Sequence, residues 1–116
     1  MSDLSVLRRD IKRAFSKARV FAVNKKVASA SDVVEKLLSA GVKTVFFDRA
    51  DEVEPQDAVF MAFEPEDVCV AREAAFFAAP ASAPLEVKMG CAYVSGFDGE
   101  SAVLEMADLI IAAKRS

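Results

Sequence analysis

The 116-residue sequence has no histidine, no tryptophan, one tyrosine and two cysteines. Histidine is the commonest general base and the commonest transition-metal ligand, so its absence excludes Ser-His and Cys-His catalysis within one chain. Cys69 and Cys91 are too few and too far apart for a disulfide framework or a metal-ligand cluster, and are expected to act as small buried hydrophobes. No metal site is expected. No apolar run approaches the roughly 18 to 20 residues that a membrane span needs. The opening stretch, MSDLSVLRRDIKRAF, carries charges where a signal peptide would place its apolar segment. A cytoplasmic location is the simplest expectation. A P-loop is also missing.

What is present is apolar and unevenly charged. Hydrophobic residues make up 53% and charged residues 28%, enough to bury one core, and a single α/β domain over residues 1–116 is expected. Net charge is −3, but residues 1–26 hold eight Lys or Arg against two Asp, while the remainder holds seven basic and sixteen acidic residues. Two surfaces of opposite sign follow, able to steer an anionic partner or to pair with one another. With pI near 5.0 and few aromatic platforms, nucleic acid is not an expected partner.

Leu4, Leu7, Ile11, Phe15 and Ala18 recur at helical spacing opposite Arg8, Arg9, Lys12 and Arg13, which predicts a basic amphipathic helix. Arg19 to Asn24 reads as a buried strand. Ser31 is placed as the cap of a helix carrying Val33, Val34, Leu37 and Leu38 and ending at Gly41, and Val42 to Phe47 completes a βαβ unit. The short segment Arg49 to Asp57 has room for one helical turn before the strand Ala58 to Phe63, taken as parallel with an antiparallel hairpin as the rival. Pro65 opens a helix whose alanine-rich run continues to Ala79 and stops at Pro80. From Leu85 to Tyr93 apolar residues alternate, which predicts an edge strand, and Ser101 to Ala113 forms the last helix. The fold class expected is a three-layer αβα domain, Rossmann-like or flavodoxin-like, with a four-stranded, mostly parallel sheet and an extra N-terminal helix.

Parallel strands bring NKKVASAS, DRAD, EPED and SGFDGES to one sheet edge, where open α/β sheets bind their ligands. Lys25, Lys26, Ser29 and Ser31 before one helix, and Ser95, Gly96, Gly99 and Ser101 about another, offer donors to a phosphate or carboxylate; Asp48 and Asp98 complete the candidate ligand-binding set. Asp48, Asp51, Glu64, Glu66, Asp67 and Asp98 could hold a hard cation, but a solvated acidic rim is the stronger reading. Glu64 and Asp98 are candidate general bases that sequence does not separate from capping residues.

The phrase AVFMAFEPEDV resembles the segment of Rossmann-type oxidoreductases in which a strand ends at a tight turn under the cofactor. That resemblance would imply a nicotinamide site, but the first strand runs into NKKVASAS and not into G-x-G-x-x-G. No cofactor is therefore assigned. The last helix is apolar over more than half its circumference, which points to self-association as a homodimer through that helix or the last strand. The functional expectation is a small non-catalytic interaction module. The alternative is a small enzyme or sensor that binds an anionic metabolite at the strand ends.

Overall fold

The structure is a computed structural model that describes residues 9–74 and 76–115. Leu4, Leu7 and Arg8 of the predicted basic helix lie outside the described residues. The chain runs α1 (Arg9–Lys17), β1 (Val20–Asn24), α2 (Val33–Ser39), β2 (Lys43–Phe47), a 3-10 turn (Ala50–Glu52) and β3 (Ala58–Met61). It continues with α3 (Pro65–Ala71), β4 (Phe76–Ala79), α4 (Leu85–Gly90), β5 (Tyr93–Val94) and α5 (Gly99–Arg115). The strands form one sheet in the order β2-β1-β3-β4-β5, and every neighbouring pair is parallel.

Alternation along each strand divides the core in two. Phe21, Val23, Val59, Met61, Phe76 and Ala78 face α1, α2 and α5, whereas Ala22, Phe47, Phe60, Phe77 and Ala79 face the 3-10 turn, α3 and α4. The Phe76-Phe77 doublet thus sends one ring to each face, which requires helices on both sides of the sheet. On the first face Phe15 of α1 meets Phe76 edge to face, with ring centroids 4.6 Å apart. Burying each side chain of this size stabilises the fold by roughly 1.5–3 kcal/mol.

Helix α2 stops where the sequence says it should. Gly41 takes φ +86°, Val42 N–H donates to Leu37 O at 2.8 Å and Gly41 N–H to Leu38 O at 3.0 Å, a left-handed closure that favours glycine.

Four expectations need correction. The sheet has five strands and not four. The alanine-rich run is not one helix: α3 ends at Ala71 and residues 76–79 form β4, whose four residues are all buried. Nor do residues 85–93 form an edge strand; α4 occupies Leu85–Gly90 behind Pro84, and only Tyr93 and Val94 pair with β4. Finally, most of the wide apolar surface of α5 is consumed within the chain, Leu104 remaining 39% exposed. Val103, Met106, Ala107, Leu109 and Ile110 share one buried cluster with residues of α1, α2 and the sheet. Leu109, which widens the apolar face of this helix, is 4% exposed. No helix among the described residues is long and apolar enough to cross a membrane.

Candidate functional site

In this strand order the chain leaves β1 toward β2 on one side and returns to β3 on the other. The carboxyl ends of β1 and β3 therefore flank the topological switch point, the usual ligand crevice of an open parallel sheet. Strand β1 is apolar until its last residue, Asn24, which is buried with 1% exposure. A buried amide must find partners. Its Oδ1 accepts the Lys26 N–H at 2.8 Å, and its Nδ2 donates to Asp67 Oδ2 at 2.7 Å and to Glu64 Oε1 at 3.3 Å.

Asp67, 2% exposed, is equally committed. Its Oδ2 also accepts the N–H groups of Phe63 at 2.9 Å and Glu64 at 3.0 Å, so it closes the first turn of α3 behind Pro65. Lys26 emerges from the tight turn after β1, where Val27 N–H donates to Asn24 O at 2.8 Å. Its Nζ reaches Glu64 Oε2 at 2.8 Å. The Lys26 ammonium, and then the Asn24 amide, hold the Glu64 carboxyl below its usual range. Glu64 in turn holds the Lys26 ammonium above its ordinary value.

Beside this network lies an open cavity of about 540 Å³ between the 3-10 turn and α3, lined by Asp48, Arg49, Asp51, Glu64, Glu66 and Asp67 among others. Lys25 pairs with Asp48 at 3.0 Å and Arg49 with Asp51 at 2.6 Å at its rim. Glu52 Oε1 accepts the Asp48 and Arg49 N–H groups at 3.1 and 2.6 Å, which fixes the loop after β2.

The sequence-derived site residues are only partly gathered here. Lys25 and Asp48 meet at the cavity rim. Ser31 instead accepts the Val33 N–H at 3.3 Å, Ser29 is exposed on the same loop, and Ser101 faces a separate depression with Phe97, Leu104, Glu105 and Asp108. Ser95 is buried and accepts the Phe97 N–H at 3.0 Å. Asp98 accepts the Ser82 N–H at 2.6 Å, and hydrogen bonds from Ser82 depress its pKa. Lys26, expected on the anion-binding loop, does lie at this edge, whereas Asn24 was not among the expected ligand-binding residues. The signal available for Asn24 was one polar residue ending the otherwise apolar run VFAVN.

No family model matches the chain, and no curated protein matches it. Solved structures do. A hypothetical protein from Xanthomonas campestris superposes with a TM-score of 0.81 at 14% identity, covering 99% of this chain and 93% of that one. A putative HAD superfamily hydrolase from Legionella pneumophila shares the same three-layer fold, with a TM-score of 0.75 at 12% identity over 91% of this chain and 88% of that one. 3-Deoxy-D-manno-octulosonate 8-phosphate phosphatase from Yersinia pestis gives a TM-score of 0.75 at 14% identity, over 94% and 89% of the two chains. The same phosphatase from Moraxella catarrhalis, in complex with a magnesium ion, a phosphate ion and a KDO molecule, gives 0.72 at 13% identity, over 94% of each. The Rossmann-like or flavodoxin-like description therefore holds only coarsely. The expectation of a non-catalytic interaction module is overturned by these phosphatase likenesses, which favour the alternative of an enzyme or sensor for an anionic metabolite.

Whether the edge suits a divalent metal depends on its donors. Hard cations require several oxygen lone pairs converging on one point. Here Asp67 Oδ2 accepts three N–H groups, both Glu64 oxygens face N–H donors, and Asn24 Oδ1 is turned to its own backbone. Among the described residues no three Asp, Glu or Cys side chains come together in a way that would hold a metal ion. The donor set does not fit a metal, and no chemical step is derived through one.

Proposed function

We propose that this chain takes a small phosphate- or carboxylate-bearing metabolite at the carboxyl ends of its strands, as a small enzyme or sensor, with phosphate monoesters the first substrate class to test. The observation that carries this reading is the Asn24-Lys26-Glu64-Asp67 network at the crevice between β1 and β3, beside an open cavity. The three-layer fold supports it, because the phosphatases from Yersinia and Moraxella share that fold over nearly their whole length.

Three cations are within reach of such a ligand: Lys25, Lys26 and Arg49. Their side chains are 46%, 61% and 77% exposed, so the ion pairs that now engage them are weak, solvent-screened contacts that an incoming anion can exchange. The Asn24 amide is neutral and neither attacks nor abstracts a proton. Lys26, its ammonium held charged by Glu64, stabilises negative charge, and Glu64 is the counter-ion that a ligand displaces. Asp67 positions Asn24 and the start of α3.

The experiment is a calorimetric and thermal-shift survey of inorganic phosphate and phosphate monoesters, 3-deoxy-D-manno-octulosonate 8-phosphate included, with phosphate release followed in parallel. Saturable binding that weakens with salt and with Lys25→Ala or Arg49→Ala is the expected result. A survey in which no anion binds would remove this reading.

A further inference from the structure

The carboxylates at the switch point already have a cation. The Asn24 side chain caps the turn through the Lys26 N–H, and from that turn the lysine side chain, 61% exposed, reaches from the end of β1 to Glu64 at the start of α3. Glu64 is gripped at both oxygens, by the Asn24 amide at 3.3 Å and by the Lys26 ammonium at 2.8 Å. Around the crevice Asp48 and Asp51 likewise have cationic side chains as partners, Lys25 and Arg49. Protons point at the oxygens that a metal would need. An ammonium at hydrogen-bond distance from Glu64 also repels any second cation brought to the same oxygen.

We propose that the ammonium of Lys26 is the permanent cation of this site, occupying the place where a divalent metal would otherwise balance Glu64 and Asp67, so that recognition at this edge is independent of metal. The Moraxella phosphatase, by contrast, is seen in complex with a magnesium ion, a phosphate ion and a KDO molecule. For its ligand the inference rests on the anion-site reading above; for its cation it stands on the Lys26 geometry alone. A tethered ammonium supplies one positive charge and three directional donors, but no open coordination position. It can hold an anion without ordering a water between two ligands.

The test separates the two parts. Magnesium and manganese ions are titrated calorimetrically into the wild type, Lys26→Asp and Glu64→Gln, each first checked for a cooperative unfolding transition. Lys26→Asp exchanges the ammonium for a third carboxylate beside Glu64 and Asp67. The expected result is no saturable metal binding by the wild type and saturable binding by Lys26→Asp. Wild-type binding that Glu64→Gln removes would overturn the proposal, as would a folded Lys26→Asp that takes up no more metal than the wild type. Inorganic phosphate is then titrated with chelator and with magnesium. Affinity should agree between the two within about twofold and fall about tenfold or more in Lys26→Met, a difference of about 1.4 kcal/mol. Phosphate binding that requires magnesium, or that survives Lys26→Met unchanged, also overturns it. If phosphate binds under no condition while the metal results come out as expected, Lys26 stands as the resident cation and the ligand reading falls.

Discussion

The side-chain amide of Asn24 donates to Asp67 Oδ2 at 2.7 Å and thereby ties the last residue of β1 to the first turn of α3, across 43 residues of sequence. Both side chains are buried, and the same oxygen also accepts the Phe63 and Glu64 N–H groups. Removing the acceptor leaves three donors without it, two of them at a helix start. Asp67→Ala is therefore expected to destabilise the fold by on the order of 3 kcal/mol, measured by urea denaturation. Asp67→Asn keeps one acceptor oxygen and should lose less. An Asp67→Ala transition at the wild-type midpoint would mean that this contact does not hold the crevice together.

The Lys26–Glu64 pair has a signature in pH. Glu64 has a folded pKa below its ordinary 4.5, so the stability it contributes is present above that value and is lost as pH falls through the folded value. Lys26 is raised above its ordinary 10.5, so its contribution is present below that value and is lost as pH rises through the folded value. Glu64→Gln should therefore flatten the pH dependence of the unfolding midpoint at both the acid and the alkaline limb, with little change between. Lys26 is well exposed and Glu64 partly so, so the effect is small and should shrink further with salt. A variant whose acid limb retains its full slope assigns that slope to other carboxylates.

Leu109 and Leu104 lie on one helix and make opposite predictions. Leu109 is 4% exposed among residues of α1, α2 and the sheet, whereas Leu104 is 39% exposed. A carboxylate at 109 would be buried without a partner, so Leu109→Glu should cost several kcal/mol or abolish cooperative unfolding. Leu104→Glu should stay within about 0.5 kcal/mol of the wild type. Thermal unfolding followed by circular dichroism distinguishes them. A Leu109→Glu protein as stable as the wild type would contradict the packing of α5.

The first half of the fold was legible because its local signals agree. VFAVN is a strand buried after its first residue, Gly41 closes α2 with a positive φ, KTVFF forms a half-buried strand, and Pro65 marks the start of α3 where the structure has it. The second half misled for physical reasons. Strand β4 is Phe-Phe-Ala-Ala, buried at every position, and a short continuous apolar run has no periodicity to separate strand from helix. In α4 the alternation of Leu85, Val87 and Met89 has nothing to do with burial: Val87 is buried while Leu85 and Met89 are 71% and 78% exposed. The candidate site was legible only as an edge. That Asn24 rather than Ser31 or Ser101 occupies its centre depends on strand order, which no local pattern encodes.

Strand order also gives the two cysteines different fates. Cys69, expected to be a small buried hydrophobe, is instead exposed on α3 beside the acidic cavity. Cys91 is half-buried at the end of α4, and its Sγ donates to Lys88 O at 3.1 Å or Tyr93 O at 3.2 Å. Burial raises the Cys91 thiol pKa, outweighing the hydrogen bonds that act against it. The thiolate is the reactive form, so Cys91 is slow for two reasons, its protonation and its limited access. Iodoacetamide under native conditions should modify Cys69 first, with peptide mass spectrometry showing Cys91 labelled at a rate that approaches that of Cys69 only in denaturant. Because Cys69 lines the cavity, saturating phosphate should also slow its modification if the anion sits at the crevice. Equal native rates at the two cysteines would mean that α4 opens on the timescale of the reaction.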